Sequence, residues 1–284
     1  MRRLLSVLAL SLAVLAPGRA AACATCGAGD PTLTLAGTEQ PFAGRVRVSI
    51  SATAAGTSAP AESTTDARLT LGVAWAPIGD VMLSASAPLV WRSAETSSLE
   101  RETGLGPGDL DLRARIVVLR DRPFAPSHLV TLQIGTRLPL APALVDAQGV
   151  ALTDGAQTAS PTVAPLAGLA WSFYAAPFSL QTYALATFPT SGSDGRAHAV
   201  EARAAMLGLV QVVPALSLVA GAETRLRAAV STHDGGGVVF ATLGALLGVD
   251  VASPYLLVRI PLVSAFDDAH TELVSVELGA VIDA

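Results

Sequence analysis

From Arg45 onward, apolar side chains recur at every second position in runs of about ten residues, with polar side chains between them. A period of two marks strands with one apolar and one polar face. Gly44–Ala52 sets Val46, Val48 and Ile50 against Arg45, Arg47, Ser49 and Ser51. Ala67–Trp75 sets Leu69, Leu71, Val73 and Trp75 against Arg68, Thr70 and Gly72. Gly108–Leu119 opposes Leu110, Leu112, Ala114 and Ile116 to Asp109, Asp111, Arg113 and Arg115. In Leu216–Ala229 the polar side carries Glu223, Arg225 and Arg227, and Glu201 and Arg203 fall in Ala199–Val213. Further strands are expected at Val81–Trp91, His128–Leu138, Thr162–Tyr174, Ser179–Phe188, Val238–Val251, Tyr255–Val263 and Glu272–Ile282, which makes twelve.

The links between these runs alternate. Pro77–Asp80, Arg120–Ser127, Ala175–Phe178, a turn at Pro214 and Ser253-Pro254 are short, and each holds a proline, which cannot continue a central ladder. Thr53–Asp66, Arg92–Pro107, Pro139–Pro161, Pro189–His198, Ser231–Gly237 and Ala265–Thr271 are mostly longer and polar. Tight turns at one end and long loops at the other, around an even number of strands, wire a membrane barrel with both termini in the periplasm. The expected fold is therefore all-β, an antiparallel transmembrane β-barrel of about 12 strands over residues 42–284. Trp75, Trp91, Phe173, Tyr174, Phe178, Phe188 and Tyr255 lie near strand ends, where interfacial girdles belong.

Alternation alone does not say which face is outside. A soluble barrel or sandwich would turn the apolar face inward. Composition favours lipid on the outside: charged residues make up 14% of the chain, below the ~25% usual in soluble proteins. A twelve-strand barrel is also too wide for its side chains to fill, since about eight strands is the filled size. Its lumen then suits the arginines, because an Arg facing lipid at mid-membrane would cost ~2–4 kcal/mol. The candidate lumen-lining residues are Arg45, Arg47, Arg68, Asp109, Asp111, Arg113, Arg115, Glu201, Arg203, Glu223, Arg225 and Arg227.

Residues 1–22 read as an export signal: Arg2-Arg3, the apolar run Leu4–Leu15, and a break at Pro17-Gly18 before Ala20-Ala21-Ala22. That run is shorter than the ~20 residues a membrane helix needs. Residues 23–41, rich in Gly, Pro and Thr, are expected to be a periplasmic lead or short plug. Cys23 and Cys26 in an oxidising compartment suggest a local disulfide. Lipid on Cys23 is a second reading, although Ala20 replaces the leucine such sites favour.

Other chemistries find little support. All eighteen basic residues are Arg, the net charge is −5, and no basic stripe points to nucleic acid. The four His residues (His128, His198, His233, His270) are scattered, so neither a metal nor any other cofactor is expected. No Gly-x-Ser-x-Gly elbow exists, and the Ser193-Asp194 and His233-Asp234 pairs fit turn chemistry, so no enzyme is expected. The glycine run Gly104-Leu-Gly-Pro-Gly108 precedes a strand rather than a helix, which argues against a phosphate cradle.

The stretch Gly106-x-Gly108-Asp109-Leu-x-Leu-x-x-Arg115 resembles the outer-membrane barrels grouped with the phenol meta-cleavage-pathway transporter family. The run Cys23-Ala-Thr-Cys26-Gly-Ala-Gly-Asp30-Pro-Thr-Leu-Thr, with Gly37-Thr-Glu39 and Gly44-Arg45, is similar to the start of a set of predicted barrel proteins. The resemblance implies an outer-membrane barrel passing hydrophobic or small aromatic compounds, and implies no catalytic residues. Such barrels usually finish on an aromatic residue read by the barrel-insertion machinery, whereas this sequence finishes Ile282-Asp283-Ala284. Either an internal signal serves that machinery or the membrane placement fails.

The expected partners are outer-membrane lipid, the insertion machinery and a small-molecule solute. The expected role is passive passage of small solutes, with lumenal Arg/acid pairs setting selectivity. The alternative is a non-conducting barrel serving as surface scaffold or sensor with a periplasmic partner.

Overall fold

A computed structural model describes residues 43–59, 62–96, 101–123, 126–146, 148–153, 156–190, 198–228, 235–248, 252–266 and 271–283. The expected signal peptide, the lead at 23–41, Cys23 and Cys26 lie outside the described residues, as do Ser193, Asp194, His233 and His270. The strands are β1 (Val46–Ser58), β2 (Glu62–Ile78), β3 (Val81–Thr96), β4 (Arg101–Pro107), β5 (Asp109–Arg120), β6 (His128–Pro139) and β7 (Ala164–Ala175). They continue with β8 (Phe178–Thr187), β9 (Glu201–Val213), β10 (Leu216–Arg227), β11 (Gly236–Leu247), β12 (Ala252–Phe266), β13 (Thr271–Glu272) and β14 (Ser275–Asp283).

Apart from the short segments β4 and β13, the strands pair antiparallel with their neighbours in chain order, and β14 closes on β1 through Val48↔Ile282 to Ala54↔Val276. Two staves are interrupted. β5 pairs with Val81–Ser86 of β3 and β4 with Leu89–Glu95, so the pair forms one stave broken at Gly108. β13 and β14 likewise share β1 as a partner. The fourteen segments among the described residues thus build a closed barrel of twelve staves. Closure removes the unpaired edges that no lipid could satisfy.

The sequence placed long loops at Thr53–Asp66 and Arg92–Pro107, and there the structure differs. β1 and β2 stay paired out to Ser58↔Ser63, and β3 and β4 out to Glu95↔Arg101. The β-branched threonines in the first stretch favour extended backbone, and Thr57 Oγ1 lies 2.7 Å from Thr64 Oγ1 across the ladder. Polar hairpin arms outside a membrane look like loops when only apolar alternation is followed.

The polarity of the wall is inverted relative to a soluble barrel. Directly opposed residues share a face, and one face carries Val48, Ile50, Leu69, Leu71, Val73, Leu83, Leu169, Leu243 and Leu278, all widely exposed. The other carries Arg47, Ser49, Ser51, Thr131, Gln133, Thr242, Arg259 and Glu277, all buried. Leu71 is 56% exposed whereas Thr242 is 0% exposed. Only an apolar surrounding makes that arrangement favourable, so the barrel spans a membrane. Among the described residues no helix is long and apolar enough to cross one.

At the end where the chain enters, called here the proximal end, outward aromatics gather. His128 stacks on Trp171 with centroids 6.0 Å apart and meets Phe173 at 5.0 Å. Trp75 and Phe178 are exposed near the same end, as a girdle requires. Tyr255 departs from the expected girdle. It is 2% exposed and faces the lumen with Leu257 and Arg259, and the glycine opposite it, Gly279, leaves room for the ring.

Candidate functional site: the lumenal wall

The inward face is built in three zones along the barrel. In the middle, β10, β12 and β14 bring Glu223, Arg259 and Glu277 together. Arg259 Nε donates to Glu223 Oε1 at 2.9 Å, and both Nη atoms donate to Glu277 Oε2 at 3.1 Å. Thr242 Oγ1 donates to Glu223 Oε1 at 2.8 Å, and the Tyr255 hydroxyl donates to Glu277 Oε1 at 2.9 Å. One guanidinium thus serves two carboxylates; the Thr242 hydroxyl shares Glu223 Oε1 with it, and the Tyr255 hydroxyl takes the second oxygen of Glu277. Arg259 and Glu277 were absent from the candidate list. Their signal was present, since Arg259 stands between Val258 and Ile260, and Glu277 between Val276 and Leu278.

Toward the proximal end the same wall becomes apolar. Ala205, Leu207, Leu209, Val219, Leu246, Tyr255, Leu257 and Val281 form one buried cluster, with Tyr183 packed against it. On the rest of the inward face at this level the groups are polar yet also withdrawn from water: Arg47, Ser49, Arg115, Thr131, Gln133 and Gln181 are all buried. Arg47 pairs in register with Ala74 and Asp283, and Arg115 with Met82 and Gln133. Arg45 precedes β1 at the rim, where its carbonyl accepts from Ala76 N at 3.0 Å.

The distal zone is wet and charged. Arg68 grips Asp66 through Nε at 2.6 Å and Nη2 at 2.9 Å. Arg92 reaches the same carboxylate through Nε at 3.0 Å and Nη2 at 2.8 Å. Arg113 binds Asp111 in a two-point fork at 2.6 Å on each oxygen. Arg203 stands 3.6 Å from Glu201, and Arg225 stands 3.2 Å from Glu272 while lying over the Phe240 ring. Arg227 is directly opposite Glu201 in the β9–β10 ladder. The side chains of Arg203 and Arg225 remain 41% and 37% exposed although they face the barrel interior, so this part of the lumen holds water.

The loop between β6 and β7 folds over this zone. Ser160 N donates to Asp109 Oδ1 at 2.8 Å, Thr153 N and Oγ1 donate to Glu102, and Arg92 Nη1 donates to the Gln157 carbonyl at 2.6 Å. Gln157 braces the loop internally, bonding the backbone of Leu144 and Leu152. The glycine run explains why the loop can come so close. Gly104 and Gly106 lie on the inward face of β4, opposite Arg92 and Val90. A Cβ on Gly104 would sit 2.1 Å from the Ala156 carbonyl oxygen, and one on Gly106 would sit 3.1 Å from Thr158 Oγ1. The glycines are a socket for a loop rather than for a phosphate. Asp109, a lumen candidate from sequence, lies on the inward face and also anchors this loop.

Of the candidates, the structure brings Arg203 and Arg225 side by side, couples Asp111 to Arg113, and ties Glu223 into the central network. It leaves Arg45, Arg47 and Arg115 apart from the wet zone. Sequence reasoning omitted Asp66, Arg92, Glu102, Arg137 and Glu272 from the list. Asp66 and Arg92 fell in stretches read as loops. Among the described residues no group of three or more metal-binding side chains occurs.

No family model and no curated protein matches the chain. Solved structures do. A crystal structure of an outer-membrane channel from Pseudomonas putida F1 shares 15% identity, with a TM-score of 0.69, covering 87% of this chain and 98% of that one. The β-domain of the Bordetella autotransporter BrkA shares 12% identity with a TM-score of 0.52, covering 86% and 100%. The translocator domain of the autotransporter NalP from Neisseria meningitidis shares 10% with a TM-score of 0.51, covering 87% and 90%. At these identities the likeness is one of fold: the chain has the fold of outer-membrane β-barrels.

Proposed function

We propose that the protein resides in the bacterial outer membrane, exported with its termini periplasmic, and lets small solutes cross passively. The observation that carries this reading is the water-accessible, arginine-bearing distal lumen inside a wall whose outer face is apolar. Charged groups that face each other across water cost little and sort what passes. The neighbour from Pseudomonas putida is described as an outer-membrane channel, which supports the reading. The apolar cluster around Leu207, Leu246 and Leu257 supports solutes with a hydrophobic or aromatic body. Refolded full-length protein in planar bilayers is expected to give discrete conductance steps. A folded barrel that stays silent would reject passage.

One observation favours the second reading, a non-conducting scaffold or sensor. The inward polar groups of the proximal half, including Thr131 and Gln133, are almost wholly withdrawn from water. The same bilayer recording decides between the two.

A further inference from the structure

Three arginines in the distal lumen are arranged against their own electrostatics. Arg203 of β9 and Arg225 of β10 are directly opposed in the ladder. Like charges in that relation destabilise a sheet. Arg137 of β6 stands on the same inward face, in register with Asp111 and Ala164, and within electrostatic reach of Arg203 as well as of Asp109 and Glu201. In its own ladder Arg137 is directly opposite Asp111, which ought to neutralise it. Both oxygens of Asp111 are instead taken by the Arg113 fork, and Arg137 has no hydrogen-bond partner among the described residues. The local acids do not balance the sum. Glu272 takes Arg225 at 3.2 Å, and Glu201 stands 3.6 Å from Arg203 while also facing Arg227 across the ladder. Among the described residues Arg137, Arg203, Arg225 and Arg227 thus face Glu201 and Glu272 around a wet space, while Asp109 and Asp111, also within reach of Arg137, are held by Ser160 N and by the Arg113 fork.

We infer that Arg137, Arg203 and Arg225 form an oxyanion subsite, a waypoint for solutes carrying a carboxylate or phosphate group. Guanidinium groups present planar donor pairs that fit either anion. Arg137 brings donors that no described group uses, and the exposure of Arg203 and Arg225 leaves room for a guest. An anion bound there relieves the repulsion that the strand register imposes. The central carboxylates are already engaged by Arg259, which bonds both Glu223 and Glu277. This inference rests on the channel reading and narrows its substrate class to organic or phosphorylated anions.

The experiment uses the refolded full chain in planar bilayers under a potassium chloride gradient, followed by addition of sodium benzoate or inorganic phosphate. The wild type is expected to show a reversal potential of anion preference and a saturable fall in chloride current with one or both additives. Benzoate alone acting identifies a carboxylate guest, and phosphate alone a phosphate guest. The variant carrying Arg137→Gln, Arg203→Gln and Arg225→Gln is expected to lose both the preference and the saturation. Arg203→Gln alone reads the same effect should the triple variant fail to fold, as judged by heat-dependent gel migration, and Arg203→Lys should keep the preference. Steps that are cation-selective, or equally anion-selective in wild type and variants, overturn the subsite and leave the channel intact. Absence of steps from folded wild type overturns both.

Discussion

Arg92 Nη1 donates to the carbonyl oxygen of Gln157 at 2.6 Å, joining the barrel wall to the β6–β7 loop. The same guanidinium is held on its other edge by Asp66, so the wall presents the donor in a fixed direction. Arg92→Leu removes the link and leaves the wall intact. The expected result is larger single-channel conductance together with faster cleavage of the loop by protease added to the folded protein. Wild-type values for both would show that the loop does not depend on this contact.

The glycine socket makes a second test of the same loop. The oxygen that a Gly104 Cβ would strike belongs to the backbone, so no rotamer change can relieve the clash. Gly104→Ala should push the loop outward while the β3–β4 ladder survives. Hydrogen exchange is expected to quicken at Ala156–Thr162 and to stay slow at Trp91 and Ser93. Unchanged protection in the loop would remove the glycines from its docking.

These two cases show how far the sequence was legible. Period-two alternation found all twelve staves because lipid demands an apolar face wherever a strand crosses it. The same rule failed past Ala52 and Trp91, where the hairpins leave the membrane and alternation no longer has a cause. Tyr255 was placed in the girdle because strand-end aromatics usually go there, yet it shares the inward face with Leu257 and Arg259, and Gly279 directly opposite leaves the room its ring fills. Gly104, Gly106 and Asp109 stood out as a motif, but their purpose is contact with residues some fifty positions later, which no local pattern encodes. The Arg203–Arg225 opposition needed the strand register, and alternation fixes only the face.

The central network should dominate the energetics of the lumen. Arg259, Glu223 and Glu277 side chains are 10%, 13% and 8% exposed. Arg259→Met would strand two nearly buried carboxylates, which typically costs about 3–5 kcal/mol. Adding Glu223→Gln and Glu277→Gln to Arg259→Met should recover most of that loss. Urea unfolding in lipid vesicles measures both. A single Arg259→Met variant as stable as wild type would show that water reaches these carboxylates.

At the proximal rim, Asp121 ties the β5–β6 turn. His128 N donates to its Oδ1 at 3.0 Å, and this bond, with help from the Ser127 amide and Arg122, holds the carboxyl below the ordinary aspartate range. The unfolded chain titrates near ~3.9. A group depressed in the folded state contributes fully above the unfolded value, and its contribution fades as pH falls through the lowered one. The His128 amide should therefore stay protected from exchange at neutral pH and lose protection only below about pH 4. Asp121→Asn should show weaker protection that no longer varies with pH over that range. A wild-type transition near pH 6 would show that the Asp121 carboxylate does not hold this amide.

The orientation of the wall itself is testable at two adjacent residues. Leu71 points to the apolar surround and Thr70 to the lumen, one position apart on β2 and at the same depth. An arginine facing lipid near the midplane costs ~2–4 kcal/mol, while one facing a polar bore is tolerated. Leu71→Arg should lower stability in vesicles by that amount and slow insertion, and Thr70→Arg should change it by much less. In a soluble barrel the result would reverse, because Leu71→Arg would then decorate a hydrated surface and Thr70→Arg would break a core. Equal losses at the two positions would contradict an apolar exterior around a polar lumen.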